Sequence, residues 1–306
     1  MYRTLVILRH TFLESVVQPI YALLLTIGAA ITIIFSLLPY FTFGEDLIMF
    51  KAVSLDVILL LTLLSTLFAT SRSIYDEIED RTMLTLMSKP VSKFEVLLGK
   101  YLGIILSALL AVAALGAVLM LCTWLRLPGD YQLRTTTVDE REIQQIWEYR
   151  KMHLAGLFPS LTLIWLQVSV LAAIGVALST RFSLVVNMPV VIMLYIAGNL
   201  TRFLFPIFGD DPTSLFAGSN VLVKGFAYCL SVVLPYLETF DLRQLTVYRS
   251  IAVAGEYFSK DPSATPLLVI WKYVGVALLH AAAYAAFALS IGMWMFQNRE
   301  LGGAEG

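Results

Sequence analysis

The chain has 306 residues, of which 58% are hydrophobic and only 14% charged, and its mean hydropathy is +0.80. A soluble domain carries about 25% charged residues, so this chain lacks the polar surface to coat a globule of its size, and a water-soluble enzyme is excluded. A net charge of −1 leaves no electrostatic footprint for nucleic acid.

Residues 1–18 place Leu5, Leu8, Phe12 and Val16 at helical spacing, with Arg3, His10, Glu14 and Gln18 on the other side. That pattern predicts an interfacial helix lying along a membrane, and its charges argue against a cleavable signal peptide. Six apolar stretches follow, at 20–38, 52–70, 101–124, 154–178, 184–208 and 267–296. Each is long enough to cross about 30 Å of hydrocarbon. The stretch 221–236 is shorter, holds Lys224 and ends in Leu-Pro-Tyr, so it reads as an outer re-entrant or interfacial segment. The expectation is an all-α polytopic membrane protein with six transmembrane helices, forming one domain over 1–306. Its larger polar connections are 127–153, where Ile143, Ile146 and Trp147 predict an amphipathic helix, and 209–265. Cys122 and Cys229 lie in separate apolar stretches and read as small buried hydrophobes.

Arg72, Arg81, Lys89, Lys93, Lys100, Arg181 and Arg299 fall in compact connections on one side. Arg126, Arg134, Arg141, Arg150 and Lys151 fall in a longer, acid-interleaved loop on the other. Short loops weigh more in setting orientation, which predicts the plasma (cytoplasmic) membrane with both termini cytoplasmic. Tyr40, Trp124, Trp147 and Trp271 sit near the expected interfaces.

The connection at 73–100 carries the most information. Ser73 followed by Asp76 and Glu77 resembles a capped helix start, and Glu77 precedes Arg81 by four residues, the favourable order for an ion pair. Ile78, Met83, Leu84, Leu86 and Met87 supply an apolar side. Pro90 then breaks the helix, and Ser92 with Glu95 spells a capping box that starts the next one. The prediction is helix, sharp turn, helix, which is more punctuation than a passive connector needs.

The acidic run Asp76, Glu77, Glu79 and Asp80, then Arg81-Thr82, then Ser88-Lys89-Pro90-Val91-Ser92-Lys93 and Gly99-Lys100, resembles the signature of ABC-2 type transporter permeases. Arg81 stands where that family usually has Gly, and Lys93 where it has Arg. The run from Leu234 to Leu242 also resembles permeases of the nitrous oxide reductase maturation type. The resemblance implies a permease subunit, of the exporter kind, that pairs with a second permease copy and binds cytoplasmic ABC ATPase subunits. It implies that 73–100 is a coupling helix seated in the ATPase, so that Asp76, Glu77, Glu79, Asp80, Arg81, Thr82, Ser88, Lys89, Pro90, Val91, Ser92, Lys93, Glu95, Gly99 and Lys100 are coupling residues. ATP and Mg would reside on the partner chain, with no cofactor bound here. Read for itself, Gly99-Lys100 is no P-loop, because Phe94 and Tyr101 stand where Gly and Ser/Thr are required.

Each feature also has a plainer reading. The acids fit a solvated helix face, and Lys89, Lys93 and Lys100 fit phospholipid anchors. Asp56, Gln167, Asn187 and His280 are the polar groups to watch inside spans; interhelical hydrogen bonding suits Gln167 and His280, and Asn187 is placed to satisfy backbone groups freed by Pro189. Alanine-rich 108–117, 172–177 and 281–288 predict close-packed faces, while Gly99 and Gly103 form a lone Gly-x-x-x-Gly. No catalytic cluster or metal-ligand spacing stands out, which weighs against an intramembrane enzyme. The absence of repeated halves weighs against a secondary transporter. A non-transporting scaffold is the remaining alternative, and the cargo is not encoded in any motif.

Overall fold

A computed structural model describes residues 2–38, 46–80, 82–83, 91–126, 140–200, 234–247, 251–252 and 265–297. The architecture is all-α. Helix α1 is Tyr2–Val17, α2 Pro19–Leu37 and α3 Asp46–Ser71. They are followed by α4, Lys93–Leu125, α5, Glu140–Ser179, α6, Leu184–Asn199, and α7, Leu267–Gln297. A 3₁₀ turn, Leu237–Phe240, and a helical turn, Arg243–Thr246, lie between α6 and α7. Ile251–Ala252 and Thr265–Pro266 form a two-residue parallel pairing.

Five of these helices, α2, α3, α4, α5 and α7, are long and apolar enough to cross a bilayer. The sixth expected span is shorter in the structure: α6 has 16 residues. At 1.5 Å per residue that is about 24 Å, less than a hydrocarbon core. The remainder of the expected span, 201–208, lies outside the described residues, as do 127–139, 209–233 and Cys229. Residues 140–153, expected as a loop with its own amphipathic helix, are instead the opening turns of α5. Trp147 stacks edge-on with Trp124 at 5.2 Å, so this extension packs against the end of α4.

From α2 to α7 the helices alternate in direction. One end of the bundle carries the 73–100 connection, α1 and the end of α7; we call it the elbow end and its opposite the far end. α5 is the central helix and α2 the most peripheral. The reason lies in side-chain size. Ala172 and Ala173 of α5 share a core with Ala285 and Ala288 of α7, and Ala177 meets Gly292, all buried. A Cβ on Gly292 would lie 2.8 Å from the Ala177 Cα, so the two backbones nearly touch. Outward faces stay apolar, with Leu23, Ile33, Leu121, Met193, Leu279 and Trp294 exposed. Helices apolar both inward and outward have lipid as their solvent.

Three buried hydroxyls of α3 do not contradict this. Ser65, Thr66 and Thr70 each donate to a carbonyl three residues back, at 2.7–2.9 Å, and so satisfy themselves within the helix. Helices are also pinned to one another. Tyr21 donates to the Ser107 carbonyl at 2.9 Å, and the Trp165 indole to that of Ile105 at 3.2 Å.

Helix α1 differs from the simple interfacial reading. The residues that meet the bundle include Thr4, Ile7, Leu8, Thr11 and Ser15, rather than the whole Leu5, Leu8, Phe12 and Val16 face. Its partner is the Gly99 and Gly103 stretch of α4. A Cβ on Gly103 would lie 2.8 Å from the Leu8 carbonyl oxygen, and one on Gly99 3.1 Å from that of Thr4. Close approach selects small residues on both sides, so Leu5, Val6, Leu13 and Val17 are left exposed.

Candidate functional site

The elbow grows out of α3 without a break. Beyond Ser71 the helix widens into a π turn, Arg72–Asp76, and then a single α turn, Glu77–Glu79. Ser73 is therefore buried inside a continuous helix, and the capped start expected there is absent. A π turn shifts every later side chain around the axis. Here it aims Ile74 and Ile78 inward while Glu79 and Asp80 are exposed. Arg81 and residues 84–90, including Ser88, Lys89 and Pro90, lie outside the described residues. So do Leu84, Leu86 and Met87 of the expected apolar side. Thr82 donates to the Glu77 carbonyl at 3.1 Å, and Met83 is 1% exposed.

The chain re-enters at Val91, and Ser92 caps α4. The Glu95 N–H donates to Ser92 Oγ at 3.2 Å, and the Ser92 N–H to Glu95 Oε2 at 3.0 Å, a complete capping box. Ile74, Ile78 and Met83 then join Val96 and Leu97 of α4, Val176 of α5 and Phe296 of α7 in a second hydrophobic core at the elbow end. The elbow is thereby clamped into the bundle rather than suspended beside it.

Several residues anticipated as ATPase contacts turn out to have partners within the chain. Lys100 is 2% exposed, so it is neither a lipid anchor nor an outward contact. It pairs with Glu77 at 2.5 Å and donates to the Ser73 carbonyl and hydroxyl; Arg81, the partner expected for Glu77, lies outside the described residues. Lys93 donates to the last-turn carbonyls of α7. Gly99 admits α1. Of the other described coupling candidates, Glu79, Asp80, Thr82 and Ser92 are exposed, and Asp76, Val91 and Glu95 are half-buried.

The intramembrane candidates fall into two places. At the elbow end, Asn187 is fully buried and donates to Ser71 Oγ at 2.9 Å and the Gly175 carbonyl at 3.1 Å. It therefore ties α6 to α3 and α5 instead of serving the backbone freed by Pro189. Toward the far end, Gln167 donates to Asn199 Oδ1 at 3.5 Å. A cavity of about 30 Å³, lined also by Tyr195, Asp241 and Arg243, opens beside it. That is space on the scale of a water molecule. The His280 ring lies 5.9 Å from that of Phe240.

Asp56 meets Arg243 at 2.6 Å, and Arg243 also reaches Asp241 at 3.6 Å. Although burial alone would lower the Arg243 pKa, the hydrogen bond and charge of Asp56, reinforced by Asp241, raise it. The Asp56 side chain is 59% exposed, so solvent screens the pair. Asp56→Asn is expected to cost less than about 1 kcal/mol, read as a small shift in thermal midpoint that high salt removes.

Two groups escaped sequence reasoning. Lys51, 1% exposed, lies 2.8 Å from His153 Nδ1 across α3 and α5. The span expected over 52–70 leaves Lys51 just outside it. The usable signal was that both residues open spans running in the same direction, which puts them at one depth. The run from Leu234 to Leu242 also has a packing explanation: Leu237, Phe240 and Leu242 are buried. A Cβ on Gly198 of α6 would lie 2.6 Å from the Pro235 carbonyl oxygen.

A family model described as ABC-2 family transporter protein matches residues 37–301. No curated protein matches the chain.

Proposed function

Because the chain belongs to the ABC-2 transporter family, whose members are membrane subunits of transporters, we propose that it is the permease of an ATP-driven exporter. The elbow end faces the cytoplasm, in the plasma membrane, and receives a separate ABC ATPase subunit. Two permease copies and two ATPases form the working unit. ATP and Mg act on the ATPase, whose closure pushes the elbow and rocks the bundle, moving cargo outward.

The observation that carries this reading is mechanical. Glu79 and Asp80 are exposed on a short helical extension whose opposite side, Ile74 and Ile78, is sealed into the elbow-end core. A solvated acidic face alone would not need such anchoring, whereas a lever does. The basic connections at the same end, between α3 and α4 and between α5 and α6, favour the cytoplasmic side.

The test is co-expression with a candidate ABC ATPase subunit, sought first among the genes that neighbour this one. The unmodified chain should co-purify with it, and hydrolysis should appear only with the ATPase present. Glu79→Lys combined with Asp80→Lys should abolish co-purification while leaving the permease folded, since neither side chain is buried. Unchanged ATPase binding by that variant would reduce the acidic face to a solvated one.

A further inference from the structure

The C-terminal turn of α7 is held by two cations that come from elsewhere in the chain. Lys93, the residue after the capped turn that closes the elbow, donates from Nζ to the carbonyls of Phe296 at 3.1 Å and Gln297 at 3.4 Å. Its ammonium also lies 5.2 Å from the centre of the Phe296 ring. Arg181, in the turn between α5 and α6, donates from Nε to the Met295 carbonyl at 3.3 Å. The last carbonyls of a helix lack intrahelical partners and carry the negative end of its dipole, so two cations there form an electrostatic clasp. Phe296 is 1% exposed and shares a core with Ile78 and Met83 of the elbow. Polar and apolar contacts thus join the same three pieces.

From this we infer that Lys93 and Arg181 are positioning residues that make the end of α7 follow the elbow, so that a push on the elbow reaches the last helix directly. The inference rests on the transporter reading and adds its internal route of transmission. α7 is suited to that task, because its small-residue face lies directly against central α5 and can carry the displacement along the bundle. A cap serving stability alone could come from any nearby base. These two come from the elbow and from the turn that follows α5, which are the parts that must move together.

The test uses the assembled permease–ATPase complex with Cys122→Ala and Cys229→Ala, and Gln297→Cys as a reporter; the substitution keeps the backbone carbonyl that Lys93 uses. The labelling rate by a water-soluble maleimide is measured with and without a non-hydrolysable ATP analogue. The rate should depend on nucleotide in this background. In Lys93→Met with Arg181→Met, which keep the aliphatic stems and lose the donors, that difference should vanish while ATP hydrolysis persists. Lys93→Arg should retain it. A difference of undiminished size in the double variant would overturn the inference, even if its thermal midpoint fell, because a purely stabilising clasp predicts that pattern. If the double variant does not assemble, hydrogen exchange on the unmodified complex decides. Amides of 293–297 and of 74–83 should respond together to nucleotide, and a response confined to 74–83 would overturn the coupling. An unmodified complex without any nucleotide response removes the transporter reading, and the clasp's role falls with it.

Discussion

Glu77→Ala is expected to destabilise the protein by about 3–5 kcal/mol, more than Lys100→Met, although both remove the same ion pair. The asymmetry follows from burial. With Glu77 gone, the Lys100 ammonium stays in a site where the side chain is 3% exposed, keeping Ser73 as an acceptor and only the weaker field of Glu14 as counter-charge. With Lys100 gone, the Glu77 carboxylate is 25% exposed and can recruit water. Lys100→Met should then cost about 1–3 kcal/mol, the range for losing a charged hydrogen bond. The double variant should fall close to Lys100→Met, because no stranded charge remains. Unfolding midpoints in detergent, arranged as a double-mutant cycle, measure all three. Equal single losses that add in the double variant would show that the pair does not hold the elbow to α4. The result also bears on how docking is tested. Removing Glu77 perturbs the fold, so lost ATPase binding in Glu77 variants would be ambiguous, whereas Glu79 and Asp80 report on the surface.

Gly103→Leu is expected to drive α1 off the bundle. A Cβ at this position already lies 2.8 Å from the Leu8 carbonyl oxygen and 2.8 Å from Thr11 Cβ, and 3.1 Å from the Phe12 nitrogen. Two of those three atoms belong to backbone, so α1 must shift as a unit. Alanine should cost about 1–3 kcal/mol, the ordinary range for overpacking, and leucine should abolish the contact. Hydrogen exchange is the direct readout. Amides of 2–17 should lose protection in the leucine variant while those of α5 and α7 keep theirs. Gly275→Ala is the matched control, since nothing lies within 4 Å of its Cβ position. Retained protection of 2–17 in Gly103→Leu would mean that α1 is anchored by lipid alone.

Both predictions involve residues whose types were conspicuous in the sequence but whose partners were not. Gly-x-x-x-Gly at Gly99 and Gly103 announces a close approach, without saying that the approaching helix is α1. Lys93 and Lys100 looked equivalent, as basic residues flanking a turn. One clasps the end of α7, 203 residues away, and the other is buried against Glu77. The capping box at Ser92 and Glu95 was fully readable, because both of its hydrogen bonds close within four residues. Ser73 was misread by the same local logic. Ser-x-x-Asp is a start signal only when the preceding residues are not already helical, and α3 runs straight through it.

Membrane residence, helical class, the approximate place of each long apolar helix and the break before α4 were determined by the sequence by itself. These are matters of solvent and local geometry: a long apolar segment needs lipid, and in lipid its backbone must bond internally. Tertiary structure alone decided which polar groups are still available for work. Asn187, Lys100 and Lys93 are occupied by helices that the chain reaches only after one or more reversals of direction, and Lys51 meets His153 across two such reversals. Partnership at that range depends on the crossing and depth of packed helices, which hydropathy does not encode. The outward-facing remainder, with Glu79 and Asp80 at its tip, is what the fold leaves for a partner.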